Sequence, residues 1–343
     1  MRQLTFTRQG TLEWHDVPAP RLTSDKNALV RPLAVARCDL DYYIALGLYR
    51  TRGPFALGHE ITAVIESVGD DVTNFVPGDR VIVPFQINCG ECDNCLRGWT
   101  NACSSVPPCA AYGLGTNPDG DFGGGFSDCL LVPFADAMLV HLPDSLSPEA
   151  GAGLSDNVAD GYRTVATGLK EFPGEPVLIA GGLAQSVGLY AVHAAIALGS
   201  RRVVYVDTDT RRLYLAKLAG AETVHLESYK DESRHSDDFL ITVDTAGTAE
   251  GLCYALASTA PCGYCTGVSG GLTPTTELPL STVYLRGITY TVSRVHGRAL
   301  LPETLHHACC GTIDPLALAD HILTFDDCIE AMVDPAPKLI FRP

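Results

Sequence analysis

Val177-Leu178-Ile179-Ala180-Gly181-Gly182-Leu183-Ala184-Gln185-Ser186-Val187-Gly188 is the stretch on which the fold turns. Four apolar residues that suit a buried strand run into paired glycines, which suit a tight turn, and then into residues that suit a helix. No formal charge occurs over 177–199, and that length would cross a bilayer. Gly181-Gly182, Gln185, Ser186 and His193 interrupt it, so it reads as strand, loop and helix rather than as a membrane span. The alternation continues outward, with a helix over 187–198, a strand over 203–206, a helix over 211–219 and a strand over 239–243. Strands alternating with helices predict parallel βαβ units and a doubly wound sheet.

The turn after Ala180 is about two residues longer than G-x-G-x-x-G between its first and last glycines, so as a bare motif it says little. Its setting says more, because a strand precedes it, a helix follows it and Asp207 closes the next strand. Gly181, Gly182, Ser186, Val187 and Gly188 are therefore candidates to receive a pyrophosphate on backbone N–H groups. Asp207 would accept hydrogen bonds from the adenosine ribose and repel a 2′-phosphate, which favours NAD over NADP. Arg211 and Arg212 lie near enough to keep NADP open; their other reading is a solvated helix face.

Upstream, residues 1 to about 150 are strand-like. Apolar runs at 28–35, 61–68 and 81–85 are separated by turn residues such as Val76-Pro77-Gly78-Asp79-Arg80. Any small all-β barrel would read this way. The tail after about 292 is mixed and ends at Lys338-Leu339-Ile340-Phe341.

Two groups of residues carry metal-type chemistry. Cys89, Cys92, Cys95 and Cys103 follow C-x2-C-x2-C-x7-C, with Gly90, Asp93, Asn94 and Gly98 supplying tight turns. Four thiolates fill a tetrahedral shell, so this lobe, about 86–106, reads as a structural zinc site. Its rival is a free zinc ribbon that binds nucleic acid. Lys+Arg 24 against Asp+Glu 40, a net charge of −16, argues against that partner. The second group mixes a thiolate, an imidazole and a carboxylate: Cys38, His59 within Gly58-His59-Glu60, and Asp156. Three ligands from distant segments leave a fourth position open, which is how a catalytic zinc is held.

At 343 residues the chain is long enough for two domains. The N-terminus, Met1-Arg2-Gln3-Leu4-Thr5-Phe6-Thr7, has no apolar run of a secretory signal, and thirteen cysteines argue for reduced thiols and metal. A cytoplasmic protein with neither a membrane nor a nucleic-acid partner is expected.

Taken in order and spacing, the chain resembles zinc-containing alcohol dehydrogenases of the medium-chain dehydrogenase/reductase superfamily from end to end. The matching text is Leu12-Glu13-Trp14, Val17-Pro18, Cys38 with Asp41, Gly58-His59-Glu60, Gly78-Asp79-Arg80-Val81, the cysteine lobe, Gly124-Gly125-Phe126, Leu154-Ser155-Asp156 and Val206-Asp207. The resemblance implies an α/β protein. A GroES-like β-barrel catalytic domain (1–157 and 292–343) would be interrupted by a Rossmann nucleotide-binding domain (158–291). It implies two Zn2+ per chain, with Cys38, His59 and Asp156 on the catalytic ion and Glu60 able to approach it. Zinc would act as a Lewis acid while hydride passes between an alcohol and NAD. Phe85 matches a substrate-facing position, and Leu48 and Tyr49 are further pocket candidates; all three could equally be core residues. Relatives are commonly homodimers or homotetramers.

Three positions depart from the family pattern. Leu40 stands where a relay Ser or Thr is usual, so the proton would leave through water or through Tyr43, five residues after Cys38. Asp39 stands where a phosphate-binding residue is found, and Asp160 replaces a threonine often found beside the nicotinamide, where its charge would favour the oxidised ring. The alternatives are an NADP-dependent carbonyl reductase and a binding or structural relative that keeps only the structural zinc. Cys262 with Cys265, Cys309-Cys310, His306-His307 and His296 are assigned no role.

Overall fold

The computed structural model describes residues 1–49, 51–115, 121–268 and 275–343. They form two compact units, Met1–Ala159 with His296–Pro343, and Asp160–Val295.

The second unit is built on six parallel strands in the spatial order Glu222–His225, Val203–Asp207, Val177–Ala180, Phe239–Asp244, Thr259–Gly267, Thr289–Val292. Numbered along the chain this is 3-2-1-4-5-6, the order of the doubly wound dinucleotide fold. Val177–Ala180 and Val203–Asp207 are buried at every residue, as strands covered on both faces must be. The order reverses between Val177–Ala180 and Phe239–Asp244, which is where such folds bind ligands. The helix after the first strand runs Gln185–Ala197, two residues earlier than predicted. Gln185 and Ser186 are both buried, so the apparent excess in the glycine motif is taken up as helix and the turn itself is only 181–184. Cys265 is buried inside Thr259–Gly267 while Cys262 is exposed at φ 61°, next to a shift in strand register. The pair therefore shares no common face.

The first unit holds a seven-stranded and a three-stranded sheet. Ala28–Ala36 and Glu60–Val68 are long antiparallel neighbours in the larger sheet, and Lys338–Arg342 is inserted between Ala28–Ala36 and Ala319–Thr324. One core gathers Val30, Ile65, Phe75 and Tyr112; another gathers Leu4, Phe6, Phe126 and Phe341. The short helices Asp39–Ala45 and Pro148–Ala152, set among the strands, break the all-β pattern. No helix among the described residues is long and apolar enough to cross a membrane.

Candidate active site

Cys38, His59 and Asp156 come together in the first unit although 118 residues separate the first from the last. Cys38 caps the helix Asp39–Ala45: its Sγ accepts from Leu40 N at 3.5 Å and its own N–H donates to Asp41 Oδ2 at 3.0 Å. His59 follows Gly58, whose φ is 92° and whose Cβ, if present, would lie 2.6 Å from Phe126 Cδ2. A side chain there would be strained and would collide, so glycine is what delivers His59 to the site. Asp156 closes the 3-10 turn Gly153–Ser155.

One ligand-type atom from each lies within 4.8 Å of the others, and all three residues are buried. His59 Nε2 stands 3.4 Å from Asp156 Oδ2. Two ligands of one tetrahedral zinc sit about 3.3 Å apart, so the donor set fits that ion in type and spacing. His59 Nδ1 faces Asp41 Oδ1 at 3.4 Å, and neither atom has a hydrogen-bond partner. A carboxylate behind one ring nitrogen directs the other toward a metal. Burial pushes the Cys38 thiol well up, with Asp156 adding to it. Burial works to lower the pKa of His59, but the charges of Asp41 and Cys38 and the close approach of the Asp156 and Asp41 carboxylates outweigh it and hold it well above the usual value. Asp156 is held low against burial by its bond to His59. A buried thiol, imidazole and carboxylate facing one another are a donor set that a divalent ion would suit.

The four cysteines form a second cluster. Cys92 Sγ is 3.9 Å from Cys103 Sγ, against about 3.8 Å for two thiolates on one zinc. Backbone N–H groups of Glu91 and Cys92 point at Cys89 Sγ at 3.4 and 3.3 Å, and that of Cys89 at Cys103 Sγ at 3.4 Å. Gly90 (φ 74°) makes this turn, and a side chain on it would meet Ala137. The Ser104 and backbone bonds draw Cys92 down to about 5, while burial pushes Cys95 up to about 12.

Known proteins are similar to this chain in sequence and in fold. The domain described as Alcohol dehydrogenase GroES-like domain matches residues 24–144. Sorbitol dehydrogenase of Bacillus subtilis is 32% identical over 81% of this chain and 76% of its own. The chain belongs to the zinc-type medium-chain alcohol dehydrogenase family. The glutathione-independent formaldehyde dehydrogenase of Pseudomonas aeruginosa is 33% identical over 68% of this chain, which spans 60% of that relative's length. An alcohol dehydrogenase from Thermus sp. ATN1 superposes over 100% of this chain and 99% of its own with a TM-score of 0.87 at 27% identity.

Within this member of the family, the residues singled out in the sequence separate by environment. The Phe85 ring lies 5.4 Å from that of His59, at the site. Leu40 and Tyr49 pack against the core of Leu4, Phe6 and Phe126, and Leu48 is exposed. Tyr43 is buried on the helix that Cys38 caps, and its carbonyl accepts from Leu48 and Tyr49. Asp160 is not a bare charge, since Arg163 Nε donates to it at 2.5 Å.

Close approach explains the glycines at 181–188: a Cβ on Gly181 would lie 2.3 Å from Tyr205 Oη, on Gly182 2.5 Å from Ala246 O, and on Gly188 2.5 Å from Thr245 Oγ1. Leu183 and Ala184 N–H groups donate to Ala246 and Thr245 carbonyls, fixing the turn at the switch point. Asp207 is fully buried and densely bonded. Its Oδ1 accepts from Thr208 N, Asp209 N and Arg212 Nη2 at 2.7, 3.0 and 2.7 Å, and its Oδ2 from Tyr205 Oη and Arg212 Nε at 2.9 and 2.8 Å. Arg212 is therefore the partner of Asp207, not a solvated helix face.

The sequence left two residues of the first unit unmarked. Asn157 Nδ2 donates to Cys38 Sγ and Asp156 Oδ2, its N–H to Glu60 Oε1, and its Oδ1 accepts from Lys338 Nζ, which also binds Glu60 Oε2. Lys338 and Glu60 are wholly buried. Burial pushes Glu60 up to about 7 against the pull of Lys338. The available signal was a lysine directly before the apolar run Leu339-Ile340-Phe341, since a lysine is fully buried almost only when it is paired.

Proposed function

We propose that the chain is a zinc-dependent oxidoreductase that moves a hydride reversibly between an alcohol and NAD. The convergence of Cys38, His59 and Asp156, with Phe85 alongside, carries this reading. Cys38, His59 and Asp156 would hold the catalytic zinc, and Cys89, Cys92, Cys95 and Cys103 the structural one. When bound, a zinc ion there would supply Lewis acidity toward a substrate oxygen, and NAD would supply the hydride acceptor or donor. The chain's own residues prepare that chemistry. Asp41 orients His59, Phe85 supplies an apolar wall that excludes water, and Lys338 neutralises Glu60. Gly181, Gly182, Ser186, Val187 and Gly188 would receive the pyrophosphate, and Asp207 with Arg212 would meet the ribose. Leu40 cannot pass a proton, so the proton is assigned to Tyr43 or to water. NADP is the second cofactor reading, favoured by one observation: Arg212 offsets the charge with which Asp207 would repel a 2′-phosphate.

A cytoplasmic homodimer or homotetramer is proposed. Support comes from the edge strand Thr289–Val292 of the parallel sheet and from Leu280, Tyr284 and Leu285, which are exposed on the helix Leu280–Arg286. The lobe cysteines and Cys38 form no disulfides, which suits a reducing compartment.

The relatives are named for sorbitol and formaldehyde, so the deciding screen offers primary, secondary and cyclic alcohols, polyols and formaldehyde, each with NAD and NADP, with and without a chelator. Chelator-sensitive turnover with about two zinc ions per chain is expected. One zinc per chain and no turnover with any substrate would leave a retired scaffold instead.

A further inference from the structure

We propose that Asn157, held by Lys338, is a positioning residue that sets the metal affinity of the three-ligand centre and the charge on its thiolate. The proposal rests on reading Cys38, His59 and Asp156 as a metal site.

Asn157 Nδ2 lies 3.3 Å from Cys38 Sγ and 3.1 Å from Asp156 Oδ2, its Oδ1 lies 2.7 Å from Lys338 Nζ, and its backbone N lies 3.0 Å from Glu60 Oε1. A side-chain amide is often ambiguous as to which end is oxygen. Here a lysine settles it, because an ammonium only donates, so the amide oxygen must face Lys338 and the two amide hydrogens must face the sulfur and the carboxylate. Those hydrogens are best received by a thiolate and an ionised carboxylate, the forms a metal requires. One side chain thus bonds two of the three ligands, and the ammonium that fixes its orientation comes from a strand 181 residues further on.

Glu60 completes the arrangement. Its Oε2 is taken by Lys338 and its Oε1 by the Asn157 N–H, so both carboxylate oxygens are engaged and Glu60 stands outside the ligand set. Outer partners of this kind commonly govern metal affinity by 10- to 100-fold. An N–H donor also draws charge from sulfur, which raises the energy of thiolate-to-metal charge transfer.

The test uses the full chain with zinc kept in the four-cysteine lobe and the three-ligand centre emptied and refilled with cobalt(II). Asn157→Leu should raise the cobalt dissociation constant on the order of 10- to 100-fold and move the thiolate-to-cobalt band to lower energy. Lys338→Met combined with Glu60→Gln, which removes both buried charges together, should shift both quantities in the same direction by less. Retained lobe zinc and a cooperative melt establish that each variant is folded. If the unsubstituted chain takes up no cobalt beyond the lobe, the metal-site reading itself fails. If it does take up cobalt and Asn157→Leu matches it in affinity and band position, the site stands and the positioning role is overturned. Weakened affinity with an unmoved band also overturns it, because lost packing alone gives that result.

Discussion

The two candidate metal centres are built in opposite ways. The four-cysteine lobe draws all its ligands from 89–103 and has little regular structure beyond Asp93–Leu96 and Thr100–Ala102; its interior is largely its own sulfur, with Val106 and Phe134 against it. The three-ligand centre draws on a helix cap, a glycine turn and a 3-10 turn, and is enclosed by Asp41, Asn157, Glu60 and Lys338. In the lobe the metal would hold the chain together. In the other centre the chain, already held together by strands and a buried ion pair, would hold the metal. Folding energy and chemistry are thus assigned to different ions.

That contrast breaks first at the lobe. Cys103→Ser should release the structural zinc and unfold residues 86–106, a local loss on the order of 10 kcal/mol. Limited proteolysis should then cut within that segment, and an uncleaved lobe would show that the metal does not organise it. At the other centre His59→Ala should cut turnover about 1,000-fold or more and, although it strands the buried Asp41 carboxylate, leave residues 86–106 uncut and lower the melting temperature less than the lobe variant does. A collapse of the melt comparable to that of the lobe variant would erase the distinction.

Lys338→Met tests how far the protein itself carries the second centre. It strands a buried Glu60 carboxylate and should cost about 3–5 kcal/mol in denaturant unfolding, with Glu60→Gln in the same chain restoring most of it. Asp244, in the unit of the parallel sheet, shows what a buried acid does without such a cation. Burial pushes its pKa up to about 7, opposed by the Ala246 amide. A raised acid favours the folded state below its unfolded pKa, and this contribution is lost as pH climbs from about 4 to about 7. Asp244→Asn should therefore match the parent near pH 4 and exceed it above pH 7 by about 2–4 kcal/mol; equal stability across that range would contradict the assignment. The smallest effect is expected from Tyr43→Phe, which should alter the pH dependence of turnover by less than about tenfold. An unchanged profile would leave the proton to water.

Much of this was readable before any coordinates. The lobe is legible because its ligands are neighbours, and the parallel sheet because apolar runs and turn residues alternate with the right period from Val177 to Asp244. Cys38, His59 and Asp156 were legible as residue types at separated positions. What surrounds them was not. Lys338 and Glu60 lie 278 residues apart, and no local pattern announces that they meet. Nor does the spelling of the chain say that Leu40 and Tyr49 turn toward the Leu4 and Phe6 core, or that Arg212 folds back onto Asp207, since these outcomes are decided by packing and charge pairing. The helix beginning at Gln185 was missed by two residues for a similar reason: burial of Gln185 and Ser186 made helix out of what reads as loop.

The strand Lys338–Arg342 lies inside the seven-stranded sheet, beside Ala28–Ala36. During synthesis the unit of the parallel sheet has all its strands once residue 292 has left the ribosome, whereas the unit that includes Met1 must wait for the strand that starts at Lys338. Until then Glu60 has no ammonium opposite it and the Asn157 amide nothing to fix its orientation. A nascent chain would pass through an interval with a finished parallel sheet and an incomplete three-ligand cluster, and a tag or truncation that disturbs 338–342 would prolong that interval indefinitely.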